Sequence, residues 1–269
     1  MDLGLAGRRA FVAGSSSGIG AGIALGLARE GCEVIVHGRQ ADRADDVVGQ
    51  IREAGGSAMA IIGALDDMAS VDDLAARALA SGPIDILINS AGACQDVRDW
   101  FDVPMENWYH QYQISLVYSV QLIRAMVPPM RERGWGRVLN VSSTTAYRPM
   151  TRHPEYSVAK IANLSVSASL AASLGNCGVT VNTLVSGLVM TEHTERAARV
   201  SGESIGLDPE APDFMDRVLR EAWGVNIPLG RGATMQEMAA AACFLVSQPA
   251  SFINGASLRV DGGGAGLAF

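Results

Sequence analysis

The sequence predicts an α/β protein built on a doubly wound parallel sheet of about seven strands. Short β-branched and apolar runs alternate with longer segments in which apolar residues recur at helical spacing. The short runs are apolar on both faces, which is typical of parallel strands that helices cover on each side. Right-handed crossovers between such strands produce the doubly wound arrangement.

Seven short segments have the composition of buried strands. They are rich in Val, Ile, Leu and Ala, and helical or turn-forming sequence separates them. In chain order they are residues 9–13, 33–37, 58–62, 84–89, 137–141, 179–184 and 258–260.

Six longer segments carry apolar residues at helical spacing. In chain order they are residues 19–30, 41–54, 70–80, 104–133, 154–174 and 235–246. Gly31 and Gly55 follow the first two, because glycine readily adopts the left-handed conformation that ends a helix. Pro128 and Pro129 lie within the fourth, where the loss of a backbone donor is expected to bend the helix.

The chain is expected to form a single dinucleotide-binding domain over residues 1–269. One long stretch without a strand lies between Thr191 and Pro228, and its polar sequence is punctuated by glycine and proline. We interpret residues 192–227 as a helical insertion that covers the substrate.

The composition restricts the possible partners. A chain of 269 residues, 48% hydrophobic and 18% charged, suits a folded domain with a sizeable core. The net charge of −7 argues against a general nucleic-acid or anionic-membrane binder, because neutralising phosphates requires concentrated Lys and Arg. Cys32, Cys94, Cys177 and Cys243 lie far apart, which predicts reduced thiols and no metal site.

The sequence also predicts a cytoplasmic protein without a membrane partner. The N-terminal segment has no basic start followed by an apolar signal core. No apolar stretch approaches the ~20 residues that a membrane span requires.

A glycine-rich segment directly follows the first strand and opens the first helix. Glycine allows the backbone to turn tightly and to approach a pyrophosphate without an intervening Cβ. The helix N-terminus then offers free N–H groups and the positive end of its dipole. This predicts a dinucleotide site, although such turns also serve merely to connect a strand to a helix. The predicted contacts are Gly14, Ser16, Ser17, Gly18, Ile19 and Gly20.

The spacing G-x-x-x-G-x-G and several later motifs resemble the short-chain dehydrogenase/reductase family. The matching motifs are Asn89-Ser90-Ala91-Gly92, Ser142-Ser143, Tyr156-Ser157-Val158-Ala159-Lys160, Asn182 and Asp261-Gly262-Gly263. The resemblance extends from about Leu5 to Gly264 and implies an oxidoreductase with a Rossmann-type fold. It also implies a cofactor site that includes Asn89, Ala91 and Gly92, with the Val189 backbone and the Thr191 hydroxyl at the nicotinamide carboxamide.

The end of the second strand predicts the choice of dinucleotide. An acidic residue there would bind the adenosine ribose 2′-OH and repel a 2′-phosphate, but this chain has Gly38 followed by Arg39. Because a guanidinium suits a phosphate, we expect NADP(H), with NAD(H) as the less favoured choice. The alternative is that Arg39 is a solvated residue opening the next helix.

The adenine end departs from the family pattern. The family usually places an aspartate after the third strand, where this chain has Ala64. Asp66, Asp67 or the Leu65 backbone could contact the adenine instead, and the sequence leaves these alternatives open.

Three residues form the predicted catalytic group. Tyr156 and Lys160 are four apart and share one face of a helix. The resemblance implies that Tyr156 is the general acid in reduction, that Lys160 lowers its pKa and holds the nicotinamide ribose, and that Ser143 polarises the substrate carbonyl.

Ser115 occupies the position of a fourth family residue. Family members usually carry an Asn there that steadies a helix kink and a water leading to the lysine. A hydroxyl has fewer donors and acceptors than an amide, so we hypothesise a relay through an extra water. The alternative is that Ser115 only packs. Ser186 likewise replaces a usual Pro and is expected to leave a softer loop.

The substrate itself is less well defined. The expected rim comprises residues Cys94–Phe101, Thr144–His153 and Glu192–Trp223. Candidate apolar wall residues are Trp100, Phe101, Tyr147, Met150 and Trp223, and candidate polar contacts are His153 and His193. No dense basic cluster marks a carrier-protein surface, since Arg148 and Arg152 are only a pair.

A small free ketone or secondary alcohol is therefore the preferred substrate. The alternatives are a 3-oxoacyl thioester reductase and a dinucleotide-sensing regulator with little turnover. The resemblance also implies a homotetramer, with a dimer second, assembled through the helices after the fourth and fifth strands. Apolar residues available for that packing are Ile161, Leu164, Val166, Leu170 and Leu174.

Overall fold

The computed structural model describes residues 1–92 and 98–266. Within them, the centre is a seven-stranded parallel sheet of order β3-β2-β1-β4-β5-β6-β7. The strands are β1 Arg9–Ala13, β2 Glu33–Gly38, β3 Ser57–Ile62, β4 Ile86–Asn89, β5 Gly136–Ser143, β6 Val179–Ser186 and β7 Ser257–Val260. The predicted fold class is confirmed.

The described α-helices cover both faces of the sheet. They are α1 Gly18–Arg29, α2 Ala41–Glu53, α3 Met68–Ala80, α4 Met105–Tyr112, α5 Tyr118–Glu132, α6 Pro154–Leu174, α7 Glu192–Ser204, α8 Phe214–Arg217 and α9 Met235–Leu245. One buried apolar layer joins α1, α2 and α9 to the sheet, and a second joins α3, α5 and α6 to its other face. Every central strand is therefore buried on both sides, as its composition predicts.

The strand order places a ligand crevice at the ends of β1 and β4. The chain runs outward from β1 to β3, returns to β4 beside β1, and continues outward to β7. Ala13 and Asn89 are paired at the carboxyl ends of the two central strands. Ligands of open α/β sheets bind where the strand order reverses in this way.

The segment predicted as one helix over residues 104–133 is interrupted. Gln113–Val117 forms a π-helical turn between α4 and α5, and Pro128 and Pro129 lie inside α5. A π-turn adds one residue to a helical turn and often occurs at a functional site. Ser115 is at its centre.

The segment after β6 has a small core of its own. Helix α7 packs against α8 and the π-helical turn Val218–Ala222 that continues it, with Ala198 and Phe214 buried between them. A Cβ on Gly202 would collide with the Phe214 ring, so glycine allows the close approach. The Trp223 indole N–H donates to Ser201 Oγ at 2.9 Å.

Helix α6 is, among the described helices, the one long and apolar enough to cross a membrane. The expectation that no apolar stretch approaches the length of a membrane span did not take α6 into account. The helix packs against β5 and β6 and carries buried polar residues, including Lys160 and Asn163. These contacts show that α6 is apolar because it packs within the domain core.

Candidate active site

The glycine-rich turn lies where β1 meets α1, and its backbone leaves no room for side chains. Gly14 has a φ of 73°, and a Cβ there would lie 2.7 Å from Ala91 Cα. A Cβ on Gly20 would collide with the Gly14 carbonyl. The turn is therefore held tightly against both α1 and the end of β4, as a pyrophosphate-binding turn requires.

The first turn of α1 faces the segment after β6. Ser17 is the N-cap residue and makes no capping hydrogen bond through its side chain, so helix N–H groups are available to an anion. Gly18 lies beside Thr191, whose methyl carbon would be 3.7 Å from a Cβ at position 18. Ile19 packs on the core beneath α1.

His37 joins two loops of the cofactor site, and sequence reasoning missed it. Its Nδ1 accepts from the Gly14 N–H at 3.0 Å, and its Nε2 lies 3.2 Å from the Gly63 carbonyl. These contacts fix the neutral tautomer with the proton on Nε2. Burial lowers the pKa of His37 to about 4, so this tautomer persists at neutral pH.

The end of β2 carries a glycine that packs against Ser16 and is followed by an arginine. A Cβ on Gly38 would collide with the Ser16 side chain, so the acid that usually stands here would displace Ser16. Arg39 follows directly and is exposed to solvent. An exposed guanidinium beside a glycine suits a 2′-phosphate better than a bare hydroxyl.

The structure narrows the alternatives for the adenine. Asp67 caps α3, with its carboxylate accepting from Ser70 N–H and Ser70 Oγ at 2.9 and 2.6 Å. These hydrogen bonds lower the pKa of Asp67 and occupy both of its oxygens. The Leu65 carbonyl accepts from Gln113 Nε2 at 3.2 Å. The Leu65 N–H and the exposed Asp66 thus remain the candidates.

Asn89 is buried within the sheet. Its amide donates to Asn140 Oδ1 at 2.8 Å, and Asn140 in turn donates to Ser167 Oγ. This polar chain holds the end of β4 in place. The Ala91 carbonyl accepts from the Tyr118 hydroxyl at 3.2 Å, so the backbone that abuts Gly14 is fixed from below.

Lys160 is the one lysine of the sequence, which also contains 20 arginines. It is only 3% exposed, and its Nζ donates to the Val141 carbonyl at 3.0 Å and lies 5.5 Å from the Tyr156 ring centroid. Burial lowers the pKa of Lys160 to about 8. The predicted pairing of Lys160 with Tyr156 on one helix face is therefore present.

Ser143 stands at the end of β5, opposite Ser186 of β6. Its Oγ accepts from the Thr145 N–H at 3.2 Å, which leaves the hydroxyl proton to donate. Ser142 Oγ donates to the Lys160 carbonyl at 2.7 Å, so the end of β5 is tied to the helix that carries Tyr156 and Lys160.

Ser115 is buried in the π-helical turn. It lies beside Gly92, because a Cβ at position 92 would be 2.9 Å from Ser115 Oγ and 3.2 Å from Lys160 Nζ. Gly92 has a φ of 125° and thereby keeps that space clear. Ser115 Oγ also accepts from Gln111 Nε2 at 2.6 Å. Sequence reasoning missed Gln111, although its spacing of four residues places it on the same helix face.

The segment after β6 is braced rather than soft where it begins. Ser186 belongs to β6 and lies between Ser143 and Val260, and its hydroxyl donates to the Ser142 carbonyl at 3.2 Å. Val189 is buried and forms a parallel bridge with Ala233. Where the segment begins, the sheet therefore holds the Ser186 backbone, and the expected softness of the loop that follows stays a prediction.

The predicted rim contains several exposed side chains. Cys94 and its neighbours up to residue 97 lie outside the described residues. Trp100 packs 5.5 Å from Trp108 and 6.2 Å from Phe101, which is almost fully exposed. His193 is exposed, whereas His153 is buried and takes a φ of 67° at the start of α6.

The two arginines considered for a carrier surface have partners within the chain. Arg148 donates to the Gly264 and Ala265 carbonyls, and Arg152 pairs with Asp99 at 3.5 Å. Among the described residues, no group of three or more His, Cys, Asp or Glu side chains could hold a metal ion.

The glycine-rich turn lies at the sheet crevice, and buried Lys160 lies beside Gly92 with the Tyr156 ring near its Nζ. This arrangement is compatible with a dinucleotide-dependent oxidoreductase. Residues 13–264 match the family model described as enoyl-(acyl carrier protein) reductase. Together with the relatives below, this match shows that the chain belongs to the short-chain dehydrogenase/reductase family, as the resemblance of its motifs predicted.

Several relatives and structural neighbours are named as dehydrogenases or reductases. Gluconate 5-dehydrogenase of Gluconobacter oxydans is 33% identical, with 96% of this chain and 95% of the relative aligned. L-sorbose reductase of Gluconobacter frateurii, solved with NADPH and L-sorbose, is 30% identical with a TM-score of 0.91, over 99% of this chain and all of that one. A 7α-hydroxysteroid dehydrogenase solved with NADH is 29% identical with a TM-score of 0.84, over 98% and 96%. The chain is thus an oxidoreductase acting on CH–OH or C=O groups.

Proposed function

We propose that the protein interconverts a ketone and a secondary alcohol with NADP(H), and that Tyr156 is the general acid and base. The observation that carries this proposal is the grouping of Tyr156 with buried Lys160, whose Nζ lies beside Gly92. Bound NADPH supplies the hydride, and the protein supplies orientation, polarisation and the proton. NADP(H) agrees with neighbours crystallised with NADP or NADPH.

The three side chains divide the work of the reduction. The Ser143 hydroxyl, whose proton is available, donates to the substrate carbonyl oxygen and polarises it. Tyr156 gives its phenolic proton to the same oxygen as the alcohol forms. Lys160 favours the resulting phenolate by its charge and binds the nicotinamide ribose. The oxidation reverses these proton movements.

We further propose that the cofactor lies along the crevice. Gly14, Gly18, Gly20 and the backbone of Ser16, Ser17 and Ile19 would hold the pyrophosphate. Val189 and Thr191 would hold the carboxamide, and Leu65 the adenine. Asn89, Ala91 and Gly92 would support its central part. The turn suits such a group because Gly14 and Gly20 let it pack closely against Ala91 and α1, and because no side chain caps the first turn of α1.

Ser115 is proposed to pass protons to Lys160. Tyr156 must regain one proton from solvent after each reduction, and Ser115 Oγ and Lys160 Nζ flank the same glycine. A serine hydroxyl both donates and accepts, so it can carry a proton along such a path.

Arg39→Ala is expected to weaken NADPH binding about 10-fold or more and to leave NADH binding unchanged, because only the 2′-phosphate needs the guanidinium. Titration of each cofactor by fluorescence measures both constants. Arg29→Ala, an exposed arginine at the far end of α1, is the matched control. Equal behaviour of NADPH and NADH with Arg39→Ala would assign the 2′-phosphate to another residue.

The substrate class can be determined by measuring NADPH oxidation with a panel of candidate substrates. Free ketones, including ketoses, are expected to turn over, whereas carrier-linked 3-oxoacyl thioesters are not, since Arg148 and Arg152 have partners within the chain. Turnover of the thioesters alone would favour the 3-oxoacyl reductase, the activity for which one structural neighbour is named. Tight NADPH binding with no turnover would favour a dinucleotide sensor.

We propose a cytoplasmic homotetramer in which residues 192–227 cover the substrate. Ile161 is 43% exposed on α6 and is available to a partner. Val166, Leu170 and Leu174 pack on the sheet side instead. Four chains are expected by single-particle mass measurement, and a monomer would contradict the assembly.

A further inference from the structure

Gln111 lies on α4, one helical turn before Ser115, and is only 2% exposed. Its Nε2 donates to Ser115 Oγ at 2.6 Å. A buried amide at this distance fixes a hydroxyl that could otherwise rotate. The contact spans the boundary between α4 and the π-helical turn, so it also sets where that turn places Ser115.

The Ser115 backbone is held from the opposite direction. Asn163 lies on α6, three residues after Lys160, and its Nδ2 donates to the Ser115 carbonyl at 3.1 Å. Gln111 on one side and Asn163 on the other therefore hold Ser115 against Gly92, next to Lys160 Nζ. Gln111 thus fixes the Ser115 hydroxyl and Asn163 fixes the carbonyl of the same residue, so both the backbone and the side chain of Ser115 are held by buried amides.

We propose that Gln111 is a positioning residue that orients the Ser115 hydroxyl toward Lys160. Family members usually carry an amide side chain at the position of Ser115. In this chain Gln111, four residues toward the N-terminus, supplies that amide. Because the Gln111 N–H occupies one lone pair of Ser115 Oγ, the hydroxyl proton and the second lone pair remain for Lys160 or a bridging water. This inference rests on the proposed function, in which Tyr156 loses a proton in each reduction.

The proton transfers balance with Tyr156, Lys160, Ser115 and water alone. Tyr156 gives one proton to the carbonyl oxygen, and the phenolate takes one from the Lys160 ammonium. The Lys160 amine regains one from the Ser115 hydroxyl side, as Ser115 takes one from water. Burial holds the pKa of Lys160 at about 8, so the amine and ammonium forms interconvert readily near neutral pH.

Gln111→Leu tests the inference, because leucine keeps the volume and removes the donor. We expect kcat to fall on the order of 10-fold and the solvent deuterium isotope effect on kcat to rise, since proton delivery then limits the rate. NADPH binding, measured by fluorescence, is expected to stay unchanged. Gln121→Leu is the matched control on α5, where Gln121 Nε2 donates to Met68 O and Asp72 outside the site.

A double-mutant cycle separates positioning from packing. Gln111→Leu, Ser115→Ala and the pair are expected to lower kcat by the same factor, because residues of one path do not add. If Gln111→Leu fails to fold, Gln111→Glu carries the test at a pH above the pKa of its carboxyl group: the ionised carboxylate cannot donate to Ser115, and the variant should show the same isotope effect. Gln111→Ala combined with Ser115→Asn, which returns the amide to position 115, should recover rate.

Wild-type kcat and isotope effect in both Gln111→Leu and Gln111→Glu would overturn the inference, as would losses that add in the cycle. Neither result would contradict the proposed reaction, which depends on Tyr156 and Ser143. Conversely, full activity of Tyr156→Phe would remove the proposed reaction while leaving the Gln111–Ser115 contact as a structural one.

Discussion

Tyr156→Phe is expected to lower kcat for ketone reduction by about 10²- to 10⁴-fold, the usual contribution of a positioned general acid. Removing the phenolic oxygen takes away the group that protonates the carbonyl oxygen and leaves the ring against Lys160 intact. NADPH oxidation measures the rate, and fluorescence titration is expected to show unchanged cofactor binding. The loss should therefore appear in kcat.

Tyr109→Phe is the matched control for this variant. Tyr109 is 72% exposed on α4, so its hydroxyl stays in water and its removal should leave the rate unchanged. A Tyr156→Phe enzyme with the wild-type rate would mean that another group or a water protonates the product.

Lys160→Met is expected to abolish most activity and at the same time to stabilise the protein without cofactor. Methionine resembles the lysine stem in size but carries no charge. The fall in the pKa of Lys160 from 10.5 to about 8 corresponds to a burial cost of about 3 kcal/mol at neutral pH. Denaturant unfolding at pH 7 should show a gain of up to this order, and kcat should fall by at least about 10²-fold.

The pH dependence of unfolding checks the cause of this gain. Below pH 8 the lysine is protonated in both the folded and the unfolded chain, so the cost of the buried charge is constant and fully present. Between pH 8 and 10.5 the unfolded chain binds the extra proton, so wild-type stability gains relative to Lys160→Met as pH rises. A difference between the two that does not change over this range would attribute the gain to packing instead.

Much of the fold follows from local sequence, because each strand is a short apolar run and each crossover a longer periodic segment. The bounds of α6 and β1 agree with the prediction, since Pro154 begins the helix and the run Arg9–Ala13 has sharp polar flanks. The interruption at Gln113–Val117 could not be predicted, because a π-turn changes hydrogen bonding without changing apolar periodicity.

In the candidate site, too, the sequence could predict some residues and not others. Gly14, Ser143, Tyr156 and Lys160 belong to motifs with fixed spacing, so the sequence places them together. Gln111 and His37 belong to none, and their importance depends on contacts that only the folded chain defines. For Gln111 the i, i+4 relation to Ser115 was a usable signal. Gly14 and His37 are 23 positions apart, and that separation left no such signal.

The single lysine has a consequence for amine chemistry. Apart from the α-amino group of Met1, Lys160 is the one primary amine that the chain offers to an acylating reagent. Because its Nζ is buried at the crevice, the second acyl group can attach only when the site opens. Mass spectrometry of the intact chain then reports how readily the active site opens, with no surface lysine to obscure the signal, and gives the opening rate when acylation is faster than reclosing.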